Sequence, residues 1–157
     1  MSVTAAELVE QIQRDYEGEL TEAQATSERS GWLGVPPQDI VSIMRHLWEA
    51  HAPVHLSTIT GLDTGEDIAI IYHFALEGVA LNLRALVSKQ EDRIDSITPV
   101  VPAAVLYERE VCDLLGVEFT GHPDPRRLIL PEEWPEGDFP LRCPDAVEHK
   151  ESEEEGG

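Results

Sequence analysis

Lysine is almost missing from this chain. Of its 157 residues only Lys89 and Lys150 are lysines, and 31 acidic residues face 11 basic ones for a formal net charge of -20. Affinity for phosphate backbones comes from clustered Lys and Arg that release counterions, so the composition argues against a nucleic-acid partner. A directly bound anionic membrane surface is disfavoured on the same ground. Cysteine is nearly as scarce: Cys112 and Cys143 are the only two, far apart, and read as reduced thiols rather than a disulfide. No apolar run approaches the ~18 residues of a membrane-spanning helix. Residues 1–13, MSVTAAELVEQIQ, lack the basic start and apolar core of a secretory signal. Also missing are a glycine-rich phosphate loop, a CxxC, an HExxH and a nucleophile elbow, which removes the usual signs of catalysis. The acidity is not confined to one end. Residues 145–157 carry six acids and one lysine, and without them the rest still stands at about -15. Acidity with so little lysine is also a way to stay soluble in concentrated salt.

What is present is enough for one domain with a real core, since 41% of the residues are hydrophobic. Thr4 and Glu7 form a capping box ahead of Leu8, Val9, Ile12 and Tyr16, which predicts a helix ending near Gly18. Two weak strands are expected at Leu20–Ser27 and Trp32–Val35. Pro36 and Pro37 open a second helix bearing Ile40, Ile43, Met44, Leu47 and His51, closed by Pro53. Three strands follow, Val54–Leu62, Asp67–Leu76 and Val79–Ser88, joined by tight turns at residues 63–66 and 77–78 into an antiparallel meander. Ile68, Ile70, Tyr72, Phe74 and Leu76 alternate onto one face, as do Val79, Leu81, Leu83, Ala85 and Val87, so that face is the core. The other face shows Asn82 and Arg84, as a solvated or partner-covered face would. Residues 90–99 read as a polar loop.

The stretch from Tyr107 to Arg142 begins as helix and ends as an arm. Ala104, Tyr107, Val111, Leu114 and Leu115 fall on one helical face, with Arg109 and Asp113 opposite and Glu108 and Glu110 on the flanks. Gly116 offers a left-handed cap. Six prolines follow, at 123, 125, 131, 135, 140 and 144, interspersed with Phe119, Leu128, Ile129, Leu130, Trp134, Phe139 and Leu141. So many missing backbone donors keep this segment out of a sheet interior or a long helix. It is expected to run extended, and its apolar residues to find cover on another protein. The organisation is therefore residues 1–116 as domain, 117–144 as docking arm and 145–157 as an acidic disordered tail. The element order is α-β-β-α-β-β-β-α plus arm.

Candidate chemistry is thin. Six histidines are scattered, and Pro53 breaks the helix that would align His51 with His55, so no metal site is expected. Glu108 and Glu110 lie on opposite flanks of the stripe and do not share a substrate proton. Arg126, Arg127 and Arg142 suit bidentate contacts to carboxylates or backbone carbonyls of a partner better than phosphate.

The run from Glu108 to Arg142, with ERE, then DLLGVEFTGHPD, then RRLILPEEWPEGDFPLR, resembles the small hydrophilic C subunit, or 30 kDa subunit, of respiratory complex I. The strands from His55 to Leu86, including YHF at 72–74, resemble that family's sheet. ITGLDTGEDI at 59–68 looks more like its relatives in energy-converting membrane-bound nickel-iron hydrogenases. The resemblance implies an α+β two-layer sandwich with a mainly antiparallel sheet of about five strands, holding no cofactor of its own. It also implies partners: a large hydrogenase-like, D-type catalytic subunit and a small iron-sulfur, B-type subunit, which carry the iron-sulfur clusters and any nickel-iron centre. The chain would then sit on the cytoplasmic face of the cell membrane, tied to it through the complex alone. By position, Glu108, Arg109, Glu110, Asp113 and Gly116 would fix the helix and its docking. Gly121, His122, Pro123 and the run Arg126, Arg127, Leu128, Leu130 and Pro131, with Arg142, would form the docked segment. Cys143 stands where the family usually has Lys. Two other classes compete with this reading: a free cytosolic binding module using the same arm, and a small enzyme using His122 with Glu108 or Glu110.

Overall fold

The computed structural model describes residues 2–143. Helix α1 (Ala5–Asp15) starts as its sequence dictates: the Thr4 hydroxyl accepts the Glu7 N–H at 3.3 Å while the Glu7 carboxylate accepts the Thr4 N–H at 2.9 Å. Two orphan donors of the first turn are satisfied reciprocally. Strands β1 (Glu22–Ser27) and β2 (Ser30–Gly34) form a hairpin, and a short 3-10 turn at Pro37–Asp39 leads into α2 (Ile40–Ala50). The meander is present as β3 (Val54–Asp63), β4 (Asp67–Leu76) and β5 (Val79–Ser88). After β6 (Arg93–Asp95) come α3 (Ala104–Leu115) and β7 (Glu118–Thr120).

The main sheet runs β1-β2-β5-β4-β3, antiparallel at every neighbour except β2 with β5, which pair in parallel. The five expected strands are present, and the parallel pair results from α2 and two meander strands intervening before β5 returns beside β2. Strands β6 and β7 make a separate parallel pair. Neither was expected, β6 lying inside the presumed polar loop and β7 inside the presumed arm. Three residues give too few alternations to register as a strand in sequence.

All three helices lie on one face of the sheet, giving two layers. A side chain at Gly31 would press on Val9 of α1, the Trp48 ring of α2 meets Phe74 edge-on at 5.4 Å, and a side chain at Gly61 would collide with Leu115 of α3. Between the layers are the alternating residues of β4 and β5 named above, all buried. Each such large side chain stabilises the fold by roughly 1.5–3 kcal/mol. The core does not stop at residue 116. Val117 and Phe119, expected in the arm, are buried within it. The open face carries a polar ladder: the His73 ring spans Thr60 (3.0 Å) and Asn82 (2.7 Å), and Asn82 donates to the Gly31 carbonyl.

Candidate functional site

Helix α3 is covered on two sides. Its apolar stripe lies on β3, with Ala104, Val111 and Leu115 buried, while Tyr107 and Leu114 are only half-buried. The opposite side, on which Arg109 and Asp113 were expected, is covered by the chain's own residues 122–142. The Asp113 carboxylate is 7% exposed, and its Oδ2 accepts three successive backbone N–H groups, from Leu128 (2.8 Å), Ile129 (2.8 Å) and Leu130 (3.2 Å). One turn earlier, Arg109 donates from Nε to the Arg126 carbonyl and from Nη2 to the Arg127 carbonyl, at 2.9 and 3.0 Å. Arg127 turns inward, its Nη1 donating to the carbonyls of Pro131 (2.9 Å) and Trp134 (2.7 Å). At the far end Gly116 adopts φ +74 as the left-handed cap, and the Phe139 ring rests where a side chain would otherwise stand. Arg142 stacks 5.0 Å from that ring and donates to the Leu115 carbonyl, a cation placed on the negative end of the α3 dipole.

Arg126, Arg127 and Arg142 were expected to serve a partner's carbonyls and carboxylates. Within the chain itself Arg127 and Arg142 already serve backbone carbonyls, as Arg109 does, and Arg126 serves the Asp124 carboxylate. A segment whose prolines deny it a hydrogen-bonded ladder has its backbone satisfied by side chains of the helix and of the segment itself. The same holds at its end, where the Cys143 N–H reaches Asp63 Oδ2 at 2.8 Å and Lys89 Nζ reaches Asp63 Oδ1 at 2.8 Å. Burial pushes the Asp63 carboxyl up, but Lys89 and the N–H groups of Gly65 and Cys143 outweigh it and hold it below its ordinary value. Pro144 and the acidic stretch 145–157 lie outside the described residues.

Glu108 does not lie where the helical wheel put it. Expected on a flank of the stripe, it is fully buried. Its carboxylate accepts the Ser96 hydroxyl at 2.6 Å and the Ile97 N–H at 2.7 Å, and Ser96 is in turn bonded to Thr98 at 2.7 Å. His122 Nε2 lies 3.8 Å away. That nitrogen also meets the Val105 carbonyl at 2.9 Å, and Nδ1 accepts the Asp124 N–H at 3.0 Å, which assigns the ring proton to Nε2. Burial pushes the Glu108 carboxyl up, against the downward pull of Ser96, Ile97 N–H and His122. Tyr72 beneath is raised well above its usual range by burial and by Glu108. Ser96, Thr98 and Asp124 were missed by sequence reasoning, because a loop that folds back onto a helix leaves no periodic trace.

Beside this cluster is a concavity of about 220 Å³ that also borders Cys112, whose thiol burial pushes up, with Asp113 and Glu118 adding to it. Glu110 borders a different hollow, with Leu114 and Leu141. The two glutamates are thus apart, while Glu108 and His122 stand together beside the first concavity, with both His122 nitrogens engaged in holding the chain.

What remains outward is a knob. Leu128 and Ile129 are 41% and 51% exposed, beside exposed Pro131, while Leu130 is half-buried. Arg126 forks onto Asp124 at 2.7 and 2.8 Å, holding that carboxyl far below its ordinary value. Gly121 and Pro123 are exposed at the base, and Leu141 is exposed at the other end.

The sequence pattern described as respiratory-chain NADH dehydrogenase, 30 Kd subunit, matches residues 33–151. The C subunit of the NADH-quinone oxidoreductase of Moorella thermoacetica is 34% identical over 106 residues, which are 65% of this chain and 72% of that protein. Membrane-bound hydrogenase subunit beta of Pyrococcus furiosus is 28% identical over 116 residues, 71% of this chain and 67% of that one. Among solved structures, a chain of the membrane-bound sulfane sulfur reductase, an archaeal respiratory membrane complex, superposes with a TM-score of 0.77 at 24% identity, covering 94% of this chain and 90% of its own. At that identity the superposition speaks for the fold.

Proposed function

Because the chain belongs to the 30 Kd subunit family of the respiratory-chain NADH dehydrogenase, which takes in membrane-bound hydrogenase subunits, we propose that it is the non-catalytic subunit docking on the large catalytic subunit of such a complex. That large subunit is hydrogenase-like and D-type, with a small iron-sulfur B-type subunit beside it. The redox centres, iron-sulfur clusters and any nickel-iron site belong to those partners, and this chain holds none. Its part is to brace the electron-transferring arm of a machine that couples electron transfer to ion translocation, on the cytoplasmic face of the membrane. No described helix is long and apolar enough to cross a membrane, and in this reading contact with the bilayer runs through the partners.

One observation carries this reading: Leu128 and Ile129 are held outward on a loop whose N–H groups are already taken by Asp113. A loop with its polar groups satisfied presents apolar side chains to a neighbour at little ordering cost. Each side chain contributes about 1.5–3 kcal/mol if the partner buries it fully.

Leu128→Asp combined with Ile129→Asp should therefore abolish co-purification of the large subunit with the tagged chain, a loss of about 100-fold or more in affinity. The isolated chain should keep its stability to within about 0.5 kcal/mol, as for other exposed positions. Full assembly by the double variant would refute the docking role. Co-purification of the wild-type chain with some other soluble protein, and never with a large subunit, would favour a free-standing binding module.

A further inference from the structure

Strand β5 outruns its neighbour. Strand β2 pairs with it only from Ser30 opposite Ala80 to Gly34 opposite Arg84, leaving residues 85–88 with β4 on one side and, among the described residues, no strand on the other. The ladder stops for a chemical reason. The Val35 N–H donates to the Arg84 carbonyl at 3.0 Å, and in a parallel pair the next rung would carry the N–H of residue 37 to the carbonyl of Leu86. Residue 37 is proline and has no N–H. Backbone groups of alternate residues point to the same side, and Ala80 N–H already points to the β2 side, toward the Arg29 carbonyl. The Leu86 carbonyl therefore points along the same edge into a space that β2 does not fill.

That space is a trough. Two concavities of about 400 and 290 Å³ meet at Pro37 and Leu86, and the Leu86 side chain between them is 47% exposed. The larger is bordered by Asp67, Glu91 and Asp95 against the single cation Arg93, and in the smaller Glu22 is already paired with Arg84. Its charge disfavours as occupant a second copy of a chain with net charge -20.

We propose that this trough is a second docking site, separate from the arm, which takes a short extended segment of a partner protein bearing alternate Lys or Arg residues, added as a strand beside the end of β5. The strand would resume the line that Pro36 and Pro37 make β2 abandon. Main-chain bonds to the Leu86 edge would give affinity and set the register, and Lys or Arg side chains on the face of Leu86, their stems over it and their charges against Asp67 and Asp95, would select the sequence.

The test uses the full chain, nitrogen-15 labelled, at about 0.15 M salt, where the Debye length is ~8 Å and diffuse attraction is weak. The probe is a capped nine-residue peptide alternating lysine and valine, with a glutamate-valine peptide as control. The lysine peptide should shift the amides of Leu86, Val87, Ser88 and Gln38, and Asp67→Lys with Asp95→Lys should weaken its binding at least ~10-fold. The control should shift nothing. Shifts scattered over the acidic surface or confined to residues 145–157, or binding that survives the charge reversal, would overturn the proposal. So would a concentration-dependent dimer abolished by Leu86→Glu, which would hand the trough to a second copy.

Discussion

The body and the arm are held by opposite kinds of force. In the body, Leu8, Ile12, Ile70, Tyr72, Leu81 and their neighbours remove apolar surface from water, a force without direction that is shared among many side chains. In the arm, Asp113, Arg109, Arg127 and Arg142 satisfy particular backbone atoms at particular angles. A distributed core tolerates a change at its edge and loses everything together when its centre fails. A directional arm depends on a few atoms and can fail alone. The body can therefore stay folded while the course of residues 122–142 is set by four side chains.

The largest effect should come from the centre of the body. Ile70→Ala, at a fully buried position of the middle strand, is expected to cost about 2–5 kcal/mol. Denaturant unfolding should show one transition shifted to lower concentration, with hydrogen-exchange protection falling in body and arm alike. Loss confined to the arm would mean that the body does not carry the arm, and the contrast would collapse.

Next in size is Asp113→Ala. It removes a charged acceptor from three N–H groups, and hydrogen bonds to charged groups contribute about 1.5–3 kcal/mol each, though not additively. The amides of residues 128–130 should exchange roughly 30- to 100-fold faster, while β4 amides stay within experimental error. Asp113→Asn, which keeps an acceptor oxygen, should recover part of the protection. A global midpoint lowered as far as that of Ile70→Ala would place Asp113 in the body's own energetics.

The same contrast decides what could be read from sequence. The body was legible because its forces leave a period: the alternation of β4 and β5, the helical spacing of α2 and the Thr4–Glu7 box all predicted what is found. Gly116 was legible because a left-handed cap has a strong residue preference. Parallel pairing of β2 with β5 was not, since strand order depends on contacts between segments about fifty residues apart, and β6 and β7 are too short to show a period. At the candidate site the residue types were found and two of their environments were not. A helical wheel assigns one inside and one outside, so it puts Glu108 on a flank and says nothing of what covers Asp113 on the far side. Both are buried because other segments fold over the helix. The resemblance drew attention to this stretch, and the folded chain shows that Arg109, Arg127, Arg142 and Asp113 bond to backbone of their own chain.

The smallest expected effect lies where the two regions meet, at Glu108, buried in the body against the arm's His122. Burial raises this carboxyl above its ordinary 4.5, against the pull of Ser96, the Ile97 N–H and His122. The folded chain thus keeps the proton to higher pH than the unfolded chain does. The contribution to stability is therefore complete below the ordinary carboxyl range and is lost as pH rises through the raised value. Asp63 works in the opposite sense: its carboxyl is held low, so its contribution is present above the ordinary range and is lost as pH falls. Glu108→Gln keeps an acceptor for the Ile97 N–H and presents an amide to Ser96, so at low pH it should stay within about 1 kcal/mol of wild type. Its mark is a change of slope. Urea midpoints measured from the ordinary carboxyl range up to neutrality should fall less with rising pH in the variant than in the wild type, and the protection of the Asp124 amide, taken relative to its intrinsic exchange rate, should vary less with pH. Parallel profiles in the two proteins would show that Glu108 does not titrate across this interval, and the carboxylate would then be a fixed part of the joint between body and arm.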